Sequence, residues 1–182
     1  MGTPLTEGLM MVHNALVGCG LRDRVKLGAS GKVATGSDIV KRLAQGADYT
    51  NAARAMMMAV GCIQSQRCHT NRCPVGVATQ DPKRSRALDV VDKTERVYRY
   101  QRSVVAEAQR LIASMGLTSA DQVGPHHLVR RVDHAGSRSY AELFQWLAPG
   151  QLLDEPPESW ATDWARADPA SFRAEPVTLG RA

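Results

Sequence analysis

Residues 24–61 read RVKLGASGKVATGSDIVKRLAQGADYTNAARAMMMAVG, and the order of patterns within them decides the fold. RVKLGA, residues 24–29, is a short extended run, and Ser30-Gly31-Lys32 breaks it as a turn, because glycine adopts backbone shapes closed to other residues. From Thr35 to Gly46 the apolar residues Ile39, Val40 and Leu43 recur at helical spacing, which predicts an amphipathic helix with those three inward. Ala47–Ala52 is a second short strand, and RAMMMAVG starts a second helix. Strand, loop, helix, strand, helix is the alternation of a parallel α/β architecture. Ligands of such folds sit at the C-terminal ends of the strands. Ser30 and Gly31 could bring backbone N–H groups close to an anion there, with Lys32 adding charge. Ala52, Ala53 and Arg54 stand at a helix start, where free N–H groups and the helix dipole favour a phosphate. For Arg54 the plain alternative is a surface arginine on a solvated turn.

The chain runs from that helix straight into GCIQSQRCHTNRCPVGVATQ, residues 61–80. Cys62, Cys68 and Cys73 stand there at the spacing C-x5-C-x4-C, and a proline follows the last. Structural cysteines are small isolated hydrophobes, not gathered into a polar loop with Gln64, Gln66, Arg67, His69, Asn71 and Arg72. A zinc site fits poorly, since it favours four ligands and C-x2-4-C pairs. An iron-sulfur centre fits better, because soft thiolates hold it and a proline often follows the last cysteine. Free or disulfide-bonded cysteines are the remaining alternative. Arg67 and Arg72 would offset thiolate charge and favour deprotonated thiols, and His69 could tune a centre through a hydrogen bond or face water. Met56, Met57 and Met58 read as core filling beneath the loop.

Upstream, residues 3–17 carry Leu5, Leu9, Val12 and Leu16 at helical spacing, with Thr3 able to cap and Pro4 at the first helical position. Gly18 and Gly20 end this helix, and Cys19 reads as a buried small residue. Downstream of Asp81-Pro82 the chain turns charged and helical. The spacing predicts a long helix over 94–115, with Val97, Val104, Ala108, Leu111 and Met115 on one face and Gly116 as its C-cap. Two shorter helical pieces are expected over 119–132, broken near Gly124-Pro125, and over 139–147, with His126-His127 as a helix-start pair. From Pro149 periodicity fades, so 154–182, with Trp160, Trp164 and Phe172, is expected to be an irregular tail, its aromatics docked on the body or the segment partly disordered. No internal repeat is visible.

A chain of 182 residues, 43% hydrophobic and 23% charged, has the length and composition for one domain with a core. No apolar run reaches the ~20 residues of a membrane span, and MGTPLTEG lacks the basic start and apolar middle of a signal peptide. The expected location is cytoplasmic, with neither membrane nor nucleic acid as partner. The formal net charge of +5 comes from arginine and lysine scattered along the chain, without interleaved aromatics, which reads as a solvated surface.

Residues 27–80 closely resemble the end of the FMN-binding catalytic domain of glutamate synthases, particularly the stand-alone glutamate synthase-like relatives. The resemblance extends upstream to Thr3 and, more loosely, downstream to about Leu147. In that family the cysteines of GC-x5-C-x4-CPVGVATQ hold a [3Fe-4S] cluster, so the resemblance assigns Cys62, Cys68 and Cys73 to it. The two preceding units correspond to the last two strands of a (β/α)8 TIM barrel, whose loops hold the FMN phosphate. That role passes to Ser30, Gly31, Lys32, Ala53 and Arg54.

The resemblance therefore implies the C-terminal portion of a barrel over 1–80, a helical extension over 81–148 and a tail over 149–182. The implied activity is an oxidoreductase making glutamate from 2-oxoglutarate by reductive amination, with ammonia or glutamine as nitrogen source. Electrons would come from a donor protein or an NAD(P)H-linked subunit. About six earlier strand-helix units, which in the family hold the flavin ring, 2-oxoglutarate and most catalytic side chains, are not seen in the sequence. Two units cannot close an eight-stranded barrel, and the free sheet would expose edge and apolar surface. The expectation is a gene fragment, a truncated product, or one half of a split enzyme paired with a companion polypeptide. A non-catalytic electron-transfer subunit carrying only the cluster, or an inactive remnant, is the alternative. Loops ASGK and NAAR differ from the more glycine-rich loops of the large subunits, which points to the stand-alone subfamily.

Overall fold

The computed structural model describes residues 2–134 and 136–171. Its centre is a parallel pair of short strands, β1 (Gly28–Ser30) and β2 (Tyr49–Asn51), with Gly28 opposite Tyr49 and Ser30 opposite Asn51. They are joined across helix α2 (Gly36–Ala44), so the expected strand, helix, strand unit is present. β1 begins later than the expected run at 24–29. Residues 22–24 instead form a 3-10 turn, pinned where Arg22 donates to the carbonyls of Val25 at 3.0 Å and Gly46 at 2.9 Å. Arg22 also meets Asp48 at 2.9 Å, and Asp48 accepts the Leu27 N–H at 2.7 Å, which locks the entrance to both strands. Helix α2 starts at a reciprocal cap: Thr35 Oγ1 accepts the Asp38 N–H at 3.2 Å and Asp38 Oδ2 accepts the Thr35 N–H at 3.1 Å.

Helix α1 (Leu5–Gly18) precedes the pair and α3 (Arg54–Val60) follows it. Thr3 makes no capping bond, and Pro4 is the cap residue of α1, one position earlier than expected. The buried face of α1 is Leu9, Met10, Asn14 and Gly18, and Val12 is 48% exposed. That rotation follows from packing: Leu9 joins Ala29 and Ala47 in a small core under the strands, while Asn14 and Gly18 receive the C-terminal chain. Cys19 is half-buried and closes the helix by donating its N–H to Ala15 at 3.0 Å, so it is not the buried residue expected.

After the cysteine loop come a single turn, α4 (Pro82–Ser85), and the long helix α5 (Val90–Ser114). The helix expected over 94–115 thus starts four residues earlier, because Asp89 accepts the N–H groups of Val91 at 2.9 Å and Asp92 at 3.0 Å. At its other end Gly116 takes a left-handed φ of 78°, and the Gly116 and Leu117 N–H groups return to Ala113 and Ile112, as a glycine C-cap requires. Helix α5 lies on α2, and Ile112 joins Ala44 and Val123 in a second core with Val40 and Leu43 against it.

Downstream the structure departs from the expected helical pieces. Residues 120–122 and 125–127 are 3-10 turns, and β3 (Val129–Arg131) pairs antiparallel with β4 (Ser137–Ser139) as a hairpin. Arg and Val in β3 carry no helical stripe once Pro125 has broken the run, so the exposed chain pairs with itself. Helix α6 covers only Tyr140–Leu143, capped by Ser139. Residues expected to be irregular include α7 (Gln151–Asp154) and α8 (Glu158–Ala165), which carries the half-buried Trp160 and Trp164. Leu152 of α7 is fully buried, because an added Cβ at Gly18 would fall 2.5 Å from Leu152 Cγ: only glycine lets the two helices approach this closely. Asn14 fastens the same chain, donating to Gln145 O at 3.0 Å and accepting the Leu147 N–H at 2.9 Å. Phe172 and the rest of the expected tail, 172–182, lie outside the described residues. Among those described, no helix is long and apolar enough to cross a membrane.

Candidate functional site

Loops leaving the C-terminal ends of β1 and β2 line one cavity of about 460 Å³. All five residues singled out for an anion, Ser30, Gly31, Lys32, Ala53 and Arg54, lie on its wall. Val33, Ala34, Asn51, Ala55 and Met58 complete the lining. Gly31 and Lys32 have φ of 135° and 52°, so two successive residues leave the ordinary region and turn the chain sharply after β1. Lys32 and Arg54 are exposed, and among the described residues neither has a carboxylate partner. Two cations without partners beside a glycine turn make a place where an anion is favoured. Helix α3 has only seven residues, so the cations and loop N–H groups, more than its dipole, supply that preference. Asn51 was not among the expected residues, although its place at the end of a parallel strand marks it.

The cysteine loop leaves α3 at Gly61, whose φ of 111° and whose Cys62 N–H to Met57 O bond of 2.9 Å end the helix. It is held residue by residue. Gln64, Gln66 and Asn71 all have left-handed φ between 56° and 58°. Asn71 Oδ1 accepts the Gln80 N–H at 2.6 Å and the Thr79 hydroxyl at 2.9 Å, which closes the loop on itself. Gly76, with φ 77°, lies so near α4 that an added Cβ would be 2.6 Å from Arg84 O.

The three cysteines sit in different surroundings. Cys73 is 4% exposed, and the N–H groups of Ala78 and Val75, then Val77 and Gly76, point at its sulfur and hold the thiol below the ordinary range against the opposing effect of burial. Cys62 is half-buried, and its Sγ accepts the Gln64 N–H at 3.4 Å; Cys68 is exposed. Among the described residues no three histidine, cysteine or carboxylate side chains gather as they would around one metal ion. Cys19, Cys62, Cys68 and Cys73, all among the described residues, are free thiols. His69 is exposed. The methionines are only partly core: Met58 is 38% exposed, lines the cavity, and its sulfur lies 3.8 Å from Gln64 Nε2 of the cysteine loop. The His126 and His127 rings lie 3.8 Å apart, tilted by 43°, in a 3-10 turn where His127 Nδ1 accepts the Gly124 N–H.

Charge is less scattered than a first reading of the sequence implies. Residues 61–102 hold nine arginines and lysines against four acids, whereas the rest of the chain holds fourteen of each. The whole excess of +5 therefore belongs to the cysteine loop, α4 and the first half of α5. Arg67, Arg72, Lys83 and Arg86 there are exposed and, among the described residues, have no acidic partner within salt-bridge reach.

Residues 1–118 match the family described as a conserved region in glutamate synthase. The chain belongs to the glutamate synthase family. Over 131 residues, 72% of the chain, it is 44% identical to the glutamate synthase large subunit-like protein YerD of Bacillus subtilis, of which this covers 25%. It is 39% identical over 130 residues, 70% of the chain, to the ferredoxin-dependent glutamate synthase of Pyropia yezoensis, covering 8% of that protein. Identity to the glutamate synthase [NADPH] large chain of Bacillus subtilis is 33% over 140 residues, 76% of the chain and 9% of that protein. The chain thus spans a quarter or less of the length of these relatives. The family match takes in both cavity loops and the whole cysteine loop, and it ends just beyond α5.

Proposed function

We propose that this chain is the C-terminal part of an FMN- and [3Fe-4S]-dependent, glutamate synthase-type oxidoreductase, in which β1 and β2 are the last two strands of a (β/α)8 barrel. The other strands come from further chain or from a companion polypeptide. On the same reading the barrel part ends near residue 80, and 81–148 is an extension packed on it.

One arrangement carries this reading. The two strand-end loops share a cavity, and the cysteine loop begins directly beyond the helix that lines it, touching it through Met58 and Gln64. The residues fit the cofactors. Lys32 and Arg54 would hold the FMN phosphate, with the Gly31 turn letting backbone N–H groups approach it. Cys62, Cys68 and Cys73 would hold the cluster; a multi-iron cluster takes its thiolates on separate irons and needs no convergence on one point. The N–H groups aimed at Cys73 Sγ favour the thiolate that such a ligand must be.

Bound flavin would supply hydride, and the cluster single electrons, for the reductive amination of 2-oxoglutarate to glutamate with ammonia or glutamine nitrogen. This chain's own groups bind and orient. Lys32 and Arg54 would neutralise the phosphate, the turn at Gly31 would let backbone N–H groups face it, and burial keeps water from Cys73. Electrons would enter from a donor protein or an NAD(P)H-linked subunit.

Anaerobic purification followed by iron, acid-labile sulfide and flavin analysis of one sample tests the reading. Three irons per chain together with FMN is the expected result, followed by glutamate formation from 2-oxoglutarate. Iron without flavin would instead favour an electron-transfer subunit, and neither, after attempted reconstitution, would refute the proposal.

A further inference from the structure

We propose that Tyr100 and Glu107, on a helix outside the cavity, are positioning residues that hold its first phosphate loop in binding shape. The inference rests on the reading of the cavity as a flavin phosphate site.

The loop from Gly31 to Gly36 forms one cavity wall with its first four residues and enters α2 with its last. Its shape is not a low-energy one. Lys32 has a Cβ yet sits at φ 52°, directly after Gly31 at 135°, and such residues persist only where their surroundings over-determine them. Part of that determination is internal: Asp38 Oδ2 accepts the Ala34 and Thr35 N–H groups, each at 3.1 Å. The remainder comes from α5. Tyr100 Oη donates to Ala34 O at 2.5 Å, and Glu107 Oε2 accepts the Gly36 N–H at 2.9 Å.

These two bonds grip the loop on either side of Thr35, from behind. Tyr100 and Glu107 are seven residues apart, two helical turns, and so lie on one face of α5. Backbone contact reinforces the grip, since an added Cβ at Gly36 would lie 2.4 Å from Ala108 N. Neither side chain lines the flavin cavity. Tyr100 instead lines a smaller space behind the loop with Val33, Ala34 and Val104. Burial and the nearby Asp38 and Glu107 charges raise the phenol's pKa, which keeps the donor proton on Tyr100. Both residues therefore act on a ligand only through the loop backbone.

The same helix reaches the cysteine loop at its other end. An added Cβ at Gly61 would sit 3.7 Å from Lys93 Cε and 3.8 Å from Arg96. One helix thus touches both the phosphate loop and the start of the cysteine loop.

The test measures dissociation constants of FMN and of riboflavin, by flavin fluorescence, on the purified protein together with any companion chain that co-purifies. Riboflavin lacks the phosphate, so the ratio of the two affinities reports the phosphate loop alone. Tyr100→Phe and Glu107→Leu are each expected to weaken FMN about tenfold, the usual scale for one positioned hydrogen bond, and to leave riboflavin within about twofold. Glu107→Gln keeps an acceptor for the Gly36 N–H and should restore most of the ratio. Tyr98→Phe, on the exposed side of α5, should change neither. Unchanged FMN binding in both variants, or equal weakening of FMN and riboflavin, overturns the inference. If Glu107→Leu does not fold, Tyr100→Phe and Glu107→Gln decide alone. Wild-type protein that binds no FMN overturns the parent reading and this one with it; wild-type binding with indifferent variants overturns this one only.

Discussion

The cavity loops and the cysteine loop adjoin, yet they are built by opposite means. The cavity is a by-product of regular structure: two paired strands fix where two loops leave, and helices α2 and α5 fix where they go. The cysteine loop has one 3-10 turn in twenty residues and is shaped by individual left-handed residues, side-chain bonds and a backbone contact with α4. Damage to a packed frame spreads to everything it positions, whereas damage to a self-tied loop stays local. Breaking the frame under the first site should therefore take both sites with it, whereas the second should be separable from the fold.

The most damaging single change on this view is Gly46→Ala. Gly46 has φ 101°, and an added Cβ would meet His13 Cγ at 2.4 Å, so strain and overlap add. A loss of about 3 kcal/mol is expected, or roughly 6–12 °C in Tm for a chain of this size. Flavin and iron should fall together, and a melt with unchanged Tm would break the comparison.

Gly76→Ala should cost about 2 kcal/mol for similar reasons, but locally. Iron content should drop while FMN binding persists; parallel loss of both would show that the loop is part of the frame. Asn71→Ala removes the acceptor for Gln80 and Thr79 and should cost about 1 kcal/mol, read as faster proteolysis within 64–80 at near-constant Tm. Asn71→Gly keeps the left-handed backbone without the bonds, so its difference from the alanine variant separates conformation from hydrogen bonding.

The smallest effect concerns acid. His13 Nδ1 accepts the Arg22 Nε–H at 3.1 Å, and burial and the Arg22 charge lower its pKa, against the Gly46 carbonyl and Asp48. The unfolded chain, with an ordinary histidine near 6.5, takes the proton first, so this contribution is complete above pH 6.5 and is lost as pH falls through the depressed folded value. Tm should fall between pH 7.5 and 5.5 by more in wild type than in His13→Gln, and equal slopes would remove His13 from the frame.

What the sequence makes legible divides along the same line. The βαβ order and the five cavity residues can be read directly, since Ile39, Val40 and Leu43 mark α2 and glycines mark its turns. The spacing of the three cysteines is visible, but not their unequal burial, nor the loop shape set by Asn71 and Gly76 reaching residues eight or nine positions away. Tyr100 and Glu107 cannot be found by local pattern, because their partners Ala34 and Gly36 lie 66 and 71 residues earlier. Residues 119–132 suggest helix in sequence because nothing local shows that 129–131 pairs with 137–139 beyond the proline break. Leu152 hides in a proline-rich stretch, and only the bare backbone at Gly18 discloses its seat.

The confinement of all the excess charge to residues 61–102 gives the molecule a pole, and a body with a pole turns before it touches. Beside a carboxylate-coated electrode the cysteine loop would face the metal and the neutral remainder would trail behind. Above ~0.1 M salt, where the screening length shrinks to about 10 Å, that alignment would dissolve into free tumbling. Ionic strength would then decide whether an electrode meets the thiols or the far side of the protein.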